Sequence, residues 1–273
     1  MVLSTIIHKR GYDNIFKETD YMSVKDRVAV VTGGGTGIGR AIAEHFAGQG
    51  ARVVVNYHQS REAAEQTVLG IRSSGGTAVA IGADISRQEA ANALMAETLR
   101  EFGRLDYLIN NAGWSQRVPH ARLEDLTDEI WNRVFETNLR GAFYCVRAAV
   151  PSLQQQSGAA IVNIASVAAL LGQGSSMAYA ASKGGLVTLT KSLARALAPD
   201  IRVNAVLPGF VRTRFAGWPE SAFAEAEKIT PLRRLATGRD VAEAALFFAA
   251  YAMSTTGETL VVDGGIAPLG PSL

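Results

Sequence analysis

Seven short apolar runs, rich in β-branched residues, recur along the chain with helical patterns between them. They are RVAVVT (27–32), ARVVVNY (51–57), TAVAIGAD (77–84), LDYLIN (105–110), AAIVNIAS (159–166), IRVNAVLP (201–208) and ETLVVDGG (258–265). A strand with one face in water alternates apolar and polar residues. These runs are apolar nearly throughout, as strands of a parallel sheet covered on both faces must be. Helical stretches such as GIGRAIAEHFAGQG and REAAEQTVLGIRSSGG separate them, each running into a Gly stop. TDEIWNRVFETNLRGAFYCVRAAVPSL opens on a Thr127 N-cap and reads as one long helix, and VAEAALFFAAYAM reads as a core helix. Strand–helix–strand repetition predicts right-handed βαβ units: an α/β, doubly wound parallel sheet of about seven strands with helices on both faces. Its functional crevice belongs at the carboxyl ends of the strands.

No linker and no fixed-period repeat divides the chain, so residues 25–273 read as one domain preceded by an N-terminal arm, 1–24. The arm's apolar stretch VLSTII is too short for a secretory signal, and charges of both signs follow it. Met22 stands at a natural domain start, so the arm is a segment the native chain can lack. The stretch 209–239, with Gly209, Gly217, Pro219 and Pro231, interrupts the strand–helix rhythm after a strand end and reads as a substrate loop or lid.

Of the 273 residues 48% are hydrophobic and 19% charged, ample for a buried core. The net charge of +2 comes without a block of like charges, so nothing argues for a nucleic-acid or anionic-membrane partner. No apolar run reaches the roughly 18 residues of a membrane helix. The reading is a cytoplasmic protein. The one cysteine, Cys145, lies in an apolar run and reads as a small buried hydrophobe, and no Cys/His cluster has metal-ligand spacing. His45 and His120 read as structural.

VVTGGGTGIGRAIAEHF passes from strand to helix with glycines at 33, 34, 35, 37 and 39. A strict G-x-G-x-x-G fails at Arg40. The physical requirement for a dinucleotide pyrophosphate is still met: a glycine-dense turn brings backbone N–H groups close to an anion, and a helix N-terminus points its dipole at it. The second strand ends Asn56-Tyr57-His58, followed by Arg61, with no acid before Glu62. An acid there would bond the 2′-hydroxyl of NAD. Its absence favours NADP(H), with NAD(H) the alternative.

Tyr179 and Lys183 stand four residues apart, one turn apart on one helix face. The spacing alone also suits a ring packed on an aliphatic stem, and it recurs at Tyr21 and Lys25, where no strand end precedes it. As a base near pH 7 the phenol would have to drop roughly three pKa units, about 4 kcal/mol. A lysine ammonium about 4 Å away supplies roughly that at an effective dielectric near 20.

Five segments in this order, TGGGTGIG (32–39), NNAG (110–113), TNLRG (137–141), IASVAALLGQGSSMAYAASKGG (164–185) and LPGFVRT (207–213), resemble the short-chain dehydrogenase/reductase family. The likeness covers roughly residues 25–265 and is nearest in flavour to 3-oxoacyl-carrier-protein reductases and sugar or polyol dehydrogenases. It implies a Rossmann-like fold and an oxidoreductase that moves a hydride between a nicotinamide and a small-molecule carbonyl or secondary alcohol. Tyr179 matches the family's acid/base, Lys183 its lysine, Ser166 its substrate-polarising serine, and Asn138 the asparagine that holds a relay water. Gly33, Thr36, Gly37, Ile38 and Gly39 match the pyrophosphate turn. Asp84 and Ile85 match the adenine side, Asn111, Ala112 and Gly113 a wall of the cofactor cleft, and Pro208, Gly209, Val211 and Thr213 the nicotinamide side. The strand-2 acid of NAD-preferring members is missing. The resemblance also implies a homotetramer, with helices 127–154 and 178–197 at an interface and the C-terminal tail near a neighbour. A redox-sensing regulator on the same fold would have lost Tyr, Lys or Ser, and all three are present. Trp114, Leu170, Gln173, Phe210, Phe215 and Trp218 are expected to wall the substrate pocket, with Arg212 and Arg214 at its mouth.

Overall fold

The computed structural model describes residues 23–270. Tyr21, Met22 and most of the N-terminal arm lie outside the described residues. Seven strands form one parallel sheet: β1 (Val28–Val31), β2 (Arg52–Tyr57), β3 (Thr77–Gly82), β4 (Tyr107–Asn110), β5 (Ala160–Ile164), β6 (Arg202–Pro208) and β7 (Thr259–Val262). Their order across the sheet is β3-β2-β1-β4-β5-β6-β7. Each falls inside the run expected for it, trimmed by one to three residues at the ends, where ladder pairing stops before the apolar pattern does.

Alternation within a strand explains the unbroken apolar runs. Ala29 and Val31 of β1 face one core, with Val53 and Val55 of β2 and Phe46 of α1 (Gly37–Gly48). Val28 and Val30 face the other, with Leu94 of α3 (Gln88–Phe102) and Cys145 of α5 (Ala142–Leu153). Both faces are covered, so apolar residues serve on either one. Helices α2 (Arg61–Ser73), α4 (Asp128–Phe135), α6 (Ala168–Leu171), α7 (Met177–Leu197), α8 (Glu220–Ile229), α9 (Gly238–Leu246) and α10 (Ile266–Leu269) complete the fold.

At the amino ends of β1 and β4, the fully buried Asp106 accepts bonds from Arg27 (3.0 Å), Arg104 (2.6 Å) and the Val28 N–H (2.9 Å), locking the two central strands in register. At their carboxyl ends the chain runs outward in both directions, to β2 on one side and β5 on the other. That is the topological switch point, where a doubly wound sheet opens its crevice.

Two of the expected helices are not regular. The stretch from Thr127 is helical to Leu153, but Glu136–Gly141 forms a π-turn between α4 and α5. The stretch from Val241 continues α9 into a second π-turn, Phe247–Tyr251. Within the 209–239 stretch the chain forms a short 3-10 turn, Phe215–Gly217, and then α8. Among the described residues no helix is long and apolar enough to cross a membrane, and no group of His, Cys, Asp or Glu is arranged to hold a metal ion.

Candidate active site

The glycine turn leaves β1 and enters α1 at the switch point. Gly37 has φ +53°, a left-handed value that side chains disfavour. A Cβ on Gly39 would stand 2.2 Å from the Gly33 carbonyl oxygen and 2.4 Å from Asn111 Nδ2, so only hydrogen fits. Thr36 stands at the N-cap in extended conformation and its side chain does not cap the helix, which leaves the first-turn N–H groups of α1 open toward the crevice. Thr32 and Asn111 tie this turn to the loop after β4. Thr32 Oγ1 accepts from the N–H groups of Asn111 (2.9 Å) and Ala112 (3.0 Å), and Asn111 Nδ2 donates to the Thr32 (2.9 Å) and Gly33 (3.2 Å) carbonyls. Gly113 lies over Asn138 and Lys183: a Cβ there would be 3.3 Å from Asn138 Oδ1 and 3.7 Å from Lys183 Nζ. Open donors at a helix N-terminus and a floor bare of side chains fit the pyrophosphate and ribose of a dinucleotide.

At the end of β2 the three expected readers separate. Asn56 is buried and spent. Its Oδ1 accepts from the Gly33 N–H at 3.3 Å, and its Nδ2 donates to the Ile81 (3.2 Å) and Ala83 (3.1 Å) carbonyls. The Asn56 side chain therefore braces the glycine turn. Tyr57 is half-buried against Gly82, and His58 is exposed, with Nε2 3.8 Å from Asp84 Oδ2. Arg61 is bonded to Glu65 at 2.7 Å, one turn along α2. Burial works to raise the Asp84 carboxyl, but bonds from the Ser86 hydroxyl (2.7 Å) and N–H (3.1 Å), with His58 and Arg87 nearby, hold it below the usual range. Ile85 beside it is buried, its carbonyl against Gly141 of the first π-turn.

Ser166, Tyr179 and Lys183 come together beyond the end of β5. Ser166 lies two residues past the strand, where its Oγ accepts from the Ala168 N–H at 3.1 Å. Ser176 caps α7 by accepting from the Tyr179 N–H at 3.2 Å, which fixes where the helix starts and so where the phenol points. The Ser166 hydroxyl bonds the phenol. Lys183 is buried, with Nζ 2.8 Å from the Ile164 carbonyl and 5.7 Å from the centre of the Tyr179 ring.

The electrostatics differ from the expectation that Lys183 lowers the phenol. Burial pushes Tyr179 up to about 12, against the smaller downward effect of the Ser166 bond, and burial pushes Lys183 down to about 8. Both groups are driven toward their neutral forms. The ammonium sits on a carbonyl rather than on the phenol oxygen.

Asn138 lies in the first π-turn, buried. Its Oδ1 accepts from the Trp114 N–H (2.7 Å), and its Nδ2 donates to the Trp114 carbonyl (3.0 Å) and Ser182 Oγ (3.1 Å). Ser182 Oγ in turn donates to the Tyr179 carbonyl at 2.8 Å. The Asn138 side chain is thus a brace from the β4 loop to α7, with both amide hydrogens engaged.

Pro208 at the end of β6, and Gly209, Val211 and Thr213 after it, line the far side of a cavity of about 370 Å³ that also holds Ser166, Tyr179 and Ile38. Gly209 admits Asp263: a Cβ there would lie 2.6 Å from Asp263 Cβ. Thr213 stands beside Gly37, so the 209–239 stretch touches the glycine turn. Phe210, Phe215, Trp218 and Gln173 wall the cavity as expected, with the Phe215 ring centre 5.6 Å from that of Tyr179. Two expected wall residues do not reach it. Trp114 turns into a separate cluster with Val118 and Ile130, under the Arg133 guanidinium, and Leu170 points outward while Leu171 lines the wall. Ser175, Phe223 and Ile266 are wall residues that local sequence pattern gave no reason to single out.

Comparison with known proteins agrees with this arrangement. A family profile described as enoyl-(acyl carrier protein) reductase matches residues 33–267. The chain is 38% identical to the 3-oxoacyl-[acyl-carrier-protein] reductase FabG of Staphylococcus aureus, over 87% of this chain and 97% of that protein. It is 39% identical to 3beta-hydroxysteroid dehydrogenase 1 of Eggerthella lenta, over 90% of this chain and 95% of that protein. Among solved structures, a short-chain dehydrogenase/reductase of Brucella melitensis, described as SDR:Glucose/ribitol dehydrogenase, superposes with a TM-score of 0.83 at 35% identity, covering 90% of this chain and 98% of that one. Fold, switch-point crevice and relatives converge: the chain belongs to the short-chain dehydrogenase/reductase family and is an NAD(P)(H)-dependent oxidoreductase of carbonyl and CH–OH substrates.

Proposed function

We propose that the reacting centre is Ser166, Tyr179 and Lys183 and that it works in the reducing direction on an apolar carbonyl compound, with a 3-oxoacyl thioester the leading case. The observation that carries this is the Tyr179 phenol beside Ser166 at the floor of an aromatic cavity, where burial favours its protonated form. A bound reduced nicotinamide supplies the hydride. Ser166 Oγ hydrogen-bonds the substrate oxygen as negative charge gathers on it. Tyr179 Oη gives that oxygen its proton, and the alkoxide is basic enough to take one from a phenol even at a pKa of about 12. Lys183, one turn behind and over Gly113, is placed to hold ribose hydroxyls. With a pKa near 8 it can also pass a proton toward the phenol. Asn138 acts through Ser182 and Trp114 by fixing α7 against the β4 loop.

In this reading the glycine turn, with Thr36 and Ile38, takes the pyrophosphate. Asp84 and Ile85 border the adenine, and Asn111, Ala112 and Gly113 wall the cleft. Pro208, Gly209, Val211 and Thr213 border the nicotinamide, and residues 209–239 form a lid on the single domain 25–273. NADP(H) is the preferred coenzyme, since no acid closes the end of β2 and Tyr57 and His58 are open to a 2′-phosphate. The protein works in the cytoplasm as a homotetramer. The aromatic walls favour an acyl or cyclic ketone over a polyol.

Reduced-nicotinamide absorbance with a panel of ketones and acyl thioesters tests the assignment. Tyr179→Phe should lower kcat at least 10²-fold, the usual scale of general acid catalysis, with coenzyme affinity nearly intact. Retention of the rate in Tyr179→Phe would remove Tyr179 as proton donor. A large preference for NADH over NADPH would sink the coenzyme reading.

A further inference from the structure

The apolar cavity offers an anion no cation of its own, and Arg212, one of the two arginines expected at its mouth, is engaged elsewhere. Arg212 is bonded to Glu220 and, at 3.1 Å, to Glu227, so it pins α8 to the start of the lid. A substrate anion would have to displace two carboxylates to reach it.

Another arginine comes from the opposite wall. Arg117 lies on the loop after β4, between two attachments to Ser175 of the cavity wall. The Val118 N–H donates to the Ser175 carbonyl at 2.7 Å, and the Ser115 and Ser175 hydroxyls stand 2.5 Å apart. Clamped on both sides, Arg117 is exposed and lays its guanidinium 5.7 Å from the ring centre of Trp218. Trp218 is itself a wall residue, edge-on to Phe210 at 5.4 Å. The guanidinium therefore spans the mouth from the β4 loop to the lid. Among the described residues it has no carboxylate partner. A cation–π contact with an indole uses no N–H donor of the guanidinium in a hydrogen bond. Those donors form the fork that pairs with carboxylate or phosphate.

We propose that Arg117 is a substrate-recognition residue that binds an anionic group, carboxylate or phosphate, carried by the substrate outside the cavity. This rests on the oxidoreductase reading above and narrows its substrate class. The carbonyl and its apolar body enter the cavity, and a charged end stays at the mouth. The bound anion and Trp218 share one guanidinium, so occupancy also holds the lid shut.

Matched substrates test this. One pair is a 3-oxoacyl coenzyme A thioester, with phosphate groups at its far end, against the ethyl ester of the same oxo acid. The other is a keto acid with a terminal carboxylate against its methyl ester. Arg117→Ala should raise KM for the charged member of at least one pair about tenfold or more, with kcat within about twofold and the neutral esters unchanged. Arg117→Lys should recover part of the loss, and the effect should shrink as salt is raised. Loss confined to the coenzyme A arm identifies phosphate as the group, and loss confined to the keto acid identifies carboxylate. Equal losses on charged and neutral substrates would make Arg117 a lid fastener only and overturn the inference, as would unchanged KM throughout. Reduction of the neutral esters by the unaltered protein, with no Arg117 effect on either charged substrate, would overturn the inference alone. Turnover of none of the four with either nicotinamide would overturn the apolar-carbonyl substrate reading and the inference with it.

Discussion

Lys183 shows what a single residue's surroundings add to its identity. Its partnership with Tyr179 and Ser166 is legible in the chain, since a strand end and a helix start can be placed from pattern and capping residues. The burial of the pair is not, because it depends on the loop after β4 and the 209–239 stretch packing beside them from distant sequence. The consequence is measurable as stability. An unfolded lysine titrates at 10.5 and the folded one at about 8. Between those values the unfolded chain binds the extra proton, so stability rises with pH. Below pH 8 both states are protonated and the cost of burying the charge is constant. Relative to a Lys183→Met variant, the unaltered protein should gain about 3 kcal/mol as pH rises from 8 to 10.5, at 1.36 kcal/mol per unit. Urea denaturation of both proteins at pH 7.5, 9 and 10.5 measures that difference, and any constant offset from lost packing cancels. A flat difference would mean that Lys183 is solvated in the folded protein. Asn56 and Asn138 carry the same lesson. Each sits in a motif that points to the crevice, yet each carboxamide is consumed by backbone groups brought in by other elements.

At the scale of elements, the strands were legible almost to the residue and the helices less so. A two-sided apolar strand carries its signature within itself. A π-turn does not, because an extra residue in a helical turn is stabilised from outside the helix. The second π-turn has such a cause. Arg202, the first residue of β6, is buried and donates to the carbonyls of Phe248 (2.5 Å), Ala249 (2.6 Å), Ala252 (3.1 Å) and Gly158 (3.3 Å). It caps the helix that follows α9 with a side chain more than forty positions earlier in the chain, a link no local pattern reveals. Burial holds its guanidinium below the usual arginine range, though Tyr107 opposes this. Arg202→Met should strand these carbonyls in the core and cost about 3 kcal/mol, a fall in Tm of about 6–10 °C. Arg202→Lys, which can satisfy only some of them, should fall between. Differential scanning calorimetry reads both, and an unchanged Tm for Arg202→Met would show that the carbonyls find other partners.

At the scale of the whole molecule, one cavity is explained by the reaction and other apolar surface is not. A groove of about 630 Å³ runs between the α4–α5 helix and α7, with Phe135, Leu139, Phe143 and Leu189 along it and Phe143 exposed at 37%. Further exposed apolar residues lie on β7, at an edge of the sheet, and on the elements that flank it in the chain. There β7 has an unpaired side, and Leu260, Phe247, Tyr251, Met253 and Leu269 are all exposed. A ring with a single repeated contact needs two complementary patches, whereas a dihedral tetramer needs two different patches that each meet their own copy. Two separate apolar areas, one built on paired helices and one on a sheet edge that would otherwise invite stray pairing, fit the dihedral tetramer proposed above. The two contacts should then fail independently. Phe143→Glu puts four like charges into the helix contact, two at each of its two copies, and should leave dimers joined through the sheet edge. Leu260→Lys should leave dimers joined through the helices. Light scattering of the two variants should each give half the mass of the unaltered tetramer, and the double variant a quarter. A monomeric mass for the unaltered protein, or a single variant that falls straight to monomer, would break the two-contact arrangement.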